Sequence, residues 1–334
     1  MNIDRITAAQ ARIREHTRRT PLLGAPALDA IAGRRVLVKA ECLQATGSFK
    51  ARGSLAAITA LDPAERARGV LAYSSGNHAQ GIARAAQLLG IPAVIIMPRD
   101  APAAKVEGTR SYGAEVVFYD RDGGESRETL ARTIAESRGL SLIPPYEHPD
   151  VIAGQGTTGL EIAEQAAALG IDSAEVLVCC GGGGLTSGIA LALEAQAPRF
   201  TVRPVEPEGF DDVKRSLATG AIQRNRGAES GLCDAVLTPQ PGEMTFAIMK
   251  RLCGPGIAVS DTEVLTAMSL AFRHLKIVAE PGGAVALAAA LFHKDGQSGD
   301  TVIATVSGGN VDPATFARCL ADPGTPKPQR GNGI

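Results

Sequence analysis

Short β-branched or apolar runs recur along the chain, and longer stretches of helical period lie between several of them. VLVKAE (36–41), VLAYSS (70–75), AVIIMP (93–98), EVVFYD (115–120), EVLVCC (175–180), FTVRPVE (200–206) and TVIATVS (301–307) have the length and residue types of buried strands. AQGIARAAQLLG and GTTGLEIAEQAAALG are amphipathic, and each ends at a glycine suited to stopping a helix. Alternation of this kind predicts an α/β protein of parallel sheets with helices on both faces. The compact strand–helix series over 69–147 predicts a small domain inserted into a larger one made of 1–68 and 148–320. The boundary falls near the proline-rich SLIPPYEHP, and the Pro/Gly-rich 321–334 reads as a loose tail.

In open α/β sheets, ligands bind beyond the carboxyl ends of the strands. The segments there are SSGNH (74–78), GGGGL (181–185), EPEGFDD (206–212) and SGGNVD (307–312), all glycine-rich or polar. EVLVCC-GGGGLTSGIALALEA is a strand, four glycines and then a helix. Glycines let backbone N–H groups approach an anion, and the helix start adds positive potential, so the segment has the physics of a phosphate cradle. Neither the G-x-x-x-x-G-K-[ST] loop nor the G-x-G-x-x-G fingerprint is present. A tight strand–helix turn is the other reading, although one glycine suffices for a turn.

Composition narrows the ligand. A net charge of −1, 4% aromatic residues and no tryptophan over 334 residues exclude a broad nucleic-acid footprint and point to a small-molecule site. No apolar run is long enough to span a membrane, and the first residues, MNIDRITAAQARIREHTRR, hold no secretory signal, so a cytoplasmic protein is expected. The six cysteines lack metal-site spacing and read as reduced, mostly buried thiols. A phosphate cradle without the nucleotide-binding lysine raises the question of which phosphorylated ligand uses a lysine elsewhere. Pyridoxal phosphate does, because its aldehyde condenses with a lysine amine. Lys50, in GSFKARGS, is the candidate; alone it reads as a solvated surface lysine.

The chain resembles the serine/threonine dehydratases and serine racemases, fold type II pyridoxal phosphate enzymes related to the tryptophan synthase β-subunit. The resemblance rests on GSFKARGS (47–54), SSGNHAQGIA (74–83), VIAGQGT (151–157), GGGGL (181–185), VEPEGFDD (205–212), EPGGA (280–284) and SGGNVD (307–312), in family order across nearly the whole chain. It implies two domains, each an open, mostly parallel twisted sheet flanked by helices, in a homodimer or homotetramer. It implies that Lys50 carries pyridoxal phosphate as a Schiff base and moves the Cα proton, with Phe49 near the ring and Asn77 on the phenolic oxygen. Gly181, Gly182, Gly183, Gly184 and Leu185 would bind the phosphate, and Ser307 would face the pyridine nitrogen. Ser74, Ser75, Asn77 and His78 would receive the substrate carboxylate. Ser307 is neutral and does not force a proton onto the ring, which favours rapid elimination over long-lived carbanions.

Six positions carry further readings. Ser75 would lie opposite Lys50, as in racemases, where it reprotonates Cα; many dehydratases carry alanine there. Arg127 matches an arginine that holds dicarboxylate ligands, and a solvated helix arginine is the plain alternative. Glu206, the Phe210 carbonyl and Asp212 match a structural or activating Mg²⁺ or Ca²⁺ site, against a solvated acidic loop. His78 reads as an orienting hydrogen-bond donor rather than a general base. Two departures bear on the substrate: Tyr146 stands where racemases have asparagine, and Cys233-Asp234-Ala235 replaces Ala-Asp-Gly. The expected activity is an ammonia-lyase converting L-threonine or L-serine to a 2-oxo acid and ammonia. The alternatives are a serine racemase and a lyase for 3-hydroxyaspartate, 3-phenylserine or a hydroxyectoine-derived compound. A non-catalytic binder on the same fold is the alternative of another class, and it would have no need of Lys50. No regulatory domain is expected after SGGNVD.

Overall fold

The computed structural model describes residues 1–101, 103–120, 123–124, 126–225, 231–293 and 299–321; the tail expected over 321–334 lies almost wholly outside them. Ten strands are present among the described residues: β1 (Leu22–Gly24), β2 (Arg35–Ala40), β3 (Val70–Tyr73), β4 (Ala93–Pro98), β5 (Glu115–Tyr119), β6 (Ser141–Leu142), β7 (Glu175–Cys179), β8 (Thr201–Pro207), β9 (Ile257–Val259) and β10 (Thr301–Val306). They form a six-stranded sheet of order β1-β2-β10-β7-β8-β9 and a four-stranded sheet of order β5-β4-β3-β6. Every pairing is parallel except the edge pair β1–β2. The α/β architecture expected from the alternating pattern is the one observed.

The three strands not anticipated, β1, β6 and β9, are two or three residues long and lie at sheet edges. So few residues carry no period, and edge strands need no apolar run. The second amphipathic stretch belongs to a longer helix, Pro149–Ala168, whose first turn is set by Pro149 after the His148 cap. The first forms Asn77–Leu89 and stops at Gly90 in the left-handed region, as its glycine predicts.

The centre of the larger sheet is buried on both faces, which is why its strands read as continuous apolar runs. Val36, Val38, Leu177, Val302 and Ala304 pack on one side against the apolar helix Pro281–Phe292. Leu37, Val176, Val178 and Ile303 pack on the other against Ile162, Leu185 and Ile189. Helix Lys50–Ala60 packs through Leu55 and Ile58 into a second core with Val151 and Ile152 and with Val70 and Ile95 of the smaller sheet. The register Thr301↔Arg35 to Val306↔Ala40 makes β2 and β10 end together, and Cys179↔Val205 aligns β7 with β8. Parallel direction therefore gathers the loops after these strands at one edge.

Candidate active site

A cleft of about 390 Å³ opens at that edge. The loop after β3 contributes Ser74, Ser75, Asn77 and His78 to its lining, and the loop after β7 contributes Gly181 to Leu185. Ser307 and Asn310 follow β10, and Phe49 and Lys50 enter at the start of helix Lys50–Ala60. Arg127 also lines it, from the first turn of helix Arg127–Arg138.

Lys50 is held from both sides in sequence. Ser48 pairs with Gly308 in an isolated bridge, and the Phe49 N–H donates to the Ser307 carbonyl at 3.0 Å, so the segment before the lysine is stitched to the end of β10. The Lys50 Nζ donates to the Pro145 carbonyl at 2.8 Å and lies 5.1 Å from the centre of the Phe49 ring. Burial, with no carboxylate to oppose it, pulls the amine down to a pKa of about 8. Two residues on, Arg52 is buried between Glu41 and Glu161, which anchors the helix that carries the lysine.

In the glycine loop, Gly183 adopts φ +90° and helix Gly184–Gln196 starts without a side-chain cap. Packing explains part of the glycine content. A Cβ on Gly182 would run into the Tyr146 ring, and one on Gly183 would lie 2.6 Å from Met249 Cε. The Thr245 hydroxyl fixes the loop by donating to the Gly182 carbonyl at 2.6 Å. What packing leaves at the cleft is an uncapped helix start with its N–H groups and dipole, which suits a phosphate.

Asn77 is locked by two neighbours. Its Nδ2 donates to Glu280 at 2.5 Å, and its Oδ1 accepts from the Asn310 Nδ2 at 2.7 Å. Asn310 also donates to the Thr46 carbonyl at 2.8 Å. Burial pushes the Glu280 carboxyl up to about 7, with Asp234 adding to the rise while Asn77 and Lys105 oppose it. Glu280 and Asn310 were not assigned roles from the sequence, although both sit inside motifs it displays, EPGGA and SGGNVD. An acid directly before a Pro-Gly-Gly helix start was the available signal.

His78 is buried, and its Nε2 lies 2.9 Å from the Ile143 carbonyl, which requires the proton on Nε2. Burial, followed by the Lys50 charge, lowers its pKa to about 3, so it is neutral and orienting rather than a base at neutral pH. Arg127 pairs with Glu128 at 2.9 Å and lies over the Tyr73 ring at 5.7 Å. Lys105 and Asp234 meet at 2.6 Å, joining helix Ala103–Arg110 to the short 3₁₀ turn Asp234–Val236, and both line the cleft.

Glu206 and Asp212 stand apart from the cleft lining. Glu206 is fully buried and accepts from the Val213 and Lys214 N–H groups at 2.9 and 2.8 Å. Asp212 Oδ1 accepts from Asn225 at 2.6 Å, while its buried Oδ2 has no hydrogen-bond partner among the described residues. Burial raises both carboxyls; the Asp212 charge adds to the rise at Glu206, and Asp211 adds to it at both, while Asn225 and Arg215 oppose it at Asp212. This donor set fits a hard cation, which takes carboxylate, carbonyl and water oxygens. Among the described residues no group of three or more His, Cys, Asp or Glu could hold a metal, so the Phe210 carbonyl or water would have to complete any such site.

The family model described as pyridoxal-phosphate dependent enzyme matches residues 13–308. The chain is 45% identical over 317 residues to an L-threo-3-hydroxyaspartate ammonia-lyase of a Pseudomonas species, covering 95% of this chain and 97% of the relative. It is similar to the crystal structure of a T.th. threonine deaminase, with TM-score 0.87, 46% identity, and coverage of 93% of this chain and 99% of that one. It is equally similar in fold to maize serine racemase, with TM-score 0.88, 38% identity and 96% of each chain covered.

Proposed function

The chain belongs to the pyridoxal-phosphate dependent enzyme family, and we propose that it is an ammonia-lyase that removes water from a small 3-hydroxy amino acid, releasing a 2-oxo acid and ammonia. The observation that carries this reading is Lys50: an amine desolvated to a pKa of about 8 inside the cleft that the glycine loop borders. Pyridoxal phosphate, when bound, supplies an aldehyde for amine condensation and a conjugated ring that takes up the electron pair left at Cα. The N–H groups of Gly181 to Gly184 and Leu185 would hold its phosphate, Asn77 would serve its phenolic oxygen, Phe49 would pack near its ring, and Ser307 would offer its nitrogen a neutral hydroxyl. Lys50 would hold the cofactor and serve as the base for the Cα proton, a task to which an amine pulled down to a pKa of about 8 is suited. Ser74, Ser75, Asn77 and His78 receive the substrate carboxylate, and Ser75 offers a second proton donor from the loop after β3.

Lys105 and Arg127 line the cleft, paired with Asp234 and Glu128, and a second substrate carboxylate could exchange with those partners, which supports 3-hydroxyaspartate as the first substrate to test. The 45% identical relative bears that name. L-Threonine and L-serine form the second reading, supported by the Tyr146 ring against the glycine loop, an apolar wall for a small side chain. Glu206, the Phe210 carbonyl and Asp212 would hold Mg²⁺ or Ca²⁺ in a structural or activating role, outside the cleft. The test is a screen of L-threo-3-hydroxyaspartate, L-threonine and L-serine for 2-oxo acid release, with and without Mg²⁺, beside Lys50→Ala. Release by the unaltered enzyme and none by Lys50→Ala is expected; turnover in that variant, or no release from any of the three, sinks the proposal.

A further inference from the structure

Three residues of the cleft lining, Asn77, Glu280 and Asn310, form a chain of side chains whose hydrogen-bond directions are fixed from one end. That end is the Thr46 carbonyl, which can only accept, so the Asn310 atom 2.8 Å from it is Nδ2. The other hydrogen of that Nδ2 goes to Asn77 Oδ1 at 2.7 Å. The Asn77 amide is thereby turned with its Nδ2 toward Glu280, which accepts at 2.5 Å. The second Nδ2 hydrogen has no acceptor among the described residues and is free for a ligand in the cleft.

The backbone is shaped for this chain. Thr46 holds φ +61°, in the left-handed region that a β-branched residue rarely enters, and Gly47 follows at φ +71°. A Cβ on Gly47 would run into Asn310 Oδ1, and one on Gly308 would run into Glu280 Oε1. Two glycines thus leave the room in which Asn310 and Glu280 close on Asn77.

Of the two partners, only Glu280 can change charge. It is 4% exposed, and burial pushes its carboxyl up to about 7; Asp234 adds to the rise, while Asn77 and Lys105 oppose it. Cys42 and Cys233 also feel its charge, and burial keeps both thiols neutral. A protonated carboxyl donates as well as accepts, so it can hold the Asn77 amide in either orientation. Asn310 does not titrate, and its Nδ2, tied to Thr46, can only donate.

Building on the reading that Asn77 serves the cofactor's phenolic oxygen, we propose that Asn310 is a positioning residue: it keeps a hydrogen of the Asn77 amide toward that oxygen whether Glu280 is ionised or protonated. A hydrogen donated to the oxygen favours the phenolate form of the cofactor, whereas a turned amide, presenting Oδ1, favours the neutral phenol.

The cofactor's absorbance distinguishes the two forms and is read on cofactor-saturated enzyme without substrate. In Asn310→Leu the amide is held by Glu280 alone. The visible band of the phenolate form should match that of the unaltered enzyme at about pH 8.5 and fall about twofold or more by about pH 5.5, while the unaltered enzyme stays level. Adding Glu280→Gln, which cannot ionise, should abolish the step, whereas a loss of packing alone gives no step that depends on Glu280. A level band in folded, cofactor-loaded Asn310→Leu, a step that survives Glu280→Gln, or the same step in the unaltered enzyme overturns the proposal. Asn310→Ala serves if the leucine variant does not fold. Asn77→Ala should lower the visible band at every pH; an unchanged band there overturns the reading of Asn77 and the proposal with it. None of these measurements uses a hydroxy amino acid, so failure of the lyase reading appears separately, in the 2-oxo acid screen.

Discussion

Arg52→Met probes the anchor beneath the proposed catalytic lysine. Arg52 is 1% exposed. Its guanidinium donates to both oxygens of Glu41 at 2.8 Å and to both oxygens of Glu161 at 2.7 and 2.9 Å. It also reaches the Thr157 hydroxyl and the Arg18 carbonyl, each at 3.2 Å. Lys39 covers Glu161 separately at 2.6 Å, but among the described residues Glu41 keeps only the Thr20 hydroxyl as a direct partner once Arg52 is gone. Burial raises the Glu41 carboxyl, and Arg52, helped by Lys39 and Thr20, more than cancels that, leaving it below the ordinary carboxylate value. Methionine fills the space without the charge, so the loss is that of breaking a buried pair, about 3–5 kcal/mol. At about 2.1 cal/mol/K of unfolding entropy per residue over 334 residues, that lowers the melting temperature by about 4–7 °C. Calorimetry on cofactor-free protein reads the shift. Adding Glu41→Gln removes the stranded charge while leaving the Lys39–Glu161 pair intact, and should restore about 2 kcal/mol or more. A double variant no more stable than Arg52→Met refutes the reasoning, because the cost then lies in packing rather than in the uncompensated carboxylate.

Four further predictions concern the Glu206–Asp212 pair and the substrate. Raised folded-state pKa values mean that Glu206 and Asp212 favour folding below their unfolded values and lose that contribution as pH rises toward neutrality, so chelated protein should lose stability across that window and Mg²⁺ should restore it. Asp212→Asn should stabilise the chelated protein by about 1–3 kcal/mol and abolish the Mg²⁺ response in thermal melts; a retained response places the cation elsewhere. Ser75→Ala should reduce any racemisation of serine on the order of 100-fold, measured by chiral chromatography, while elimination changes less than about threefold; unchanged racemisation removes Ser75 from that role. Lys105→Met leaves Asp234 uncompensated in the cleft, so KM for 3-hydroxyaspartate should rise about tenfold with L-serine affected less than about twofold, and equal effects on both would refute a charge role.

What the chain displays in its sequence is whatever depends on local period and on strand direction. The central strands are legible because β2, β10 and β7 are buried on both faces and are therefore mostly apolar, with Lys39 and Glu175 as charged exceptions. The cleft is legible at one remove, because parallel strands put the loops carrying Asn77, Gly181 and Ser307 at a common edge once their direction is known. Groups that matter through long-range pairing show no such signal. Lys39 and Glu161 are 122 positions apart, and Asn77 and Glu280 are 203 apart. In the sequence, Arg52 is one more basic residue after Lys50, and Gln155 is one more polar residue in VIAGQGT. Their burial follows from helices Lys50–Ala60 and Pro149–Ala168 packing face to face, with Gly53 and Gly154 at the contact. Those glycines are the one local trace of the packing. They mark where two backbones approach, and what such an approach encloses, here the charge cluster around Arg52, is decided by the side chains that flank it.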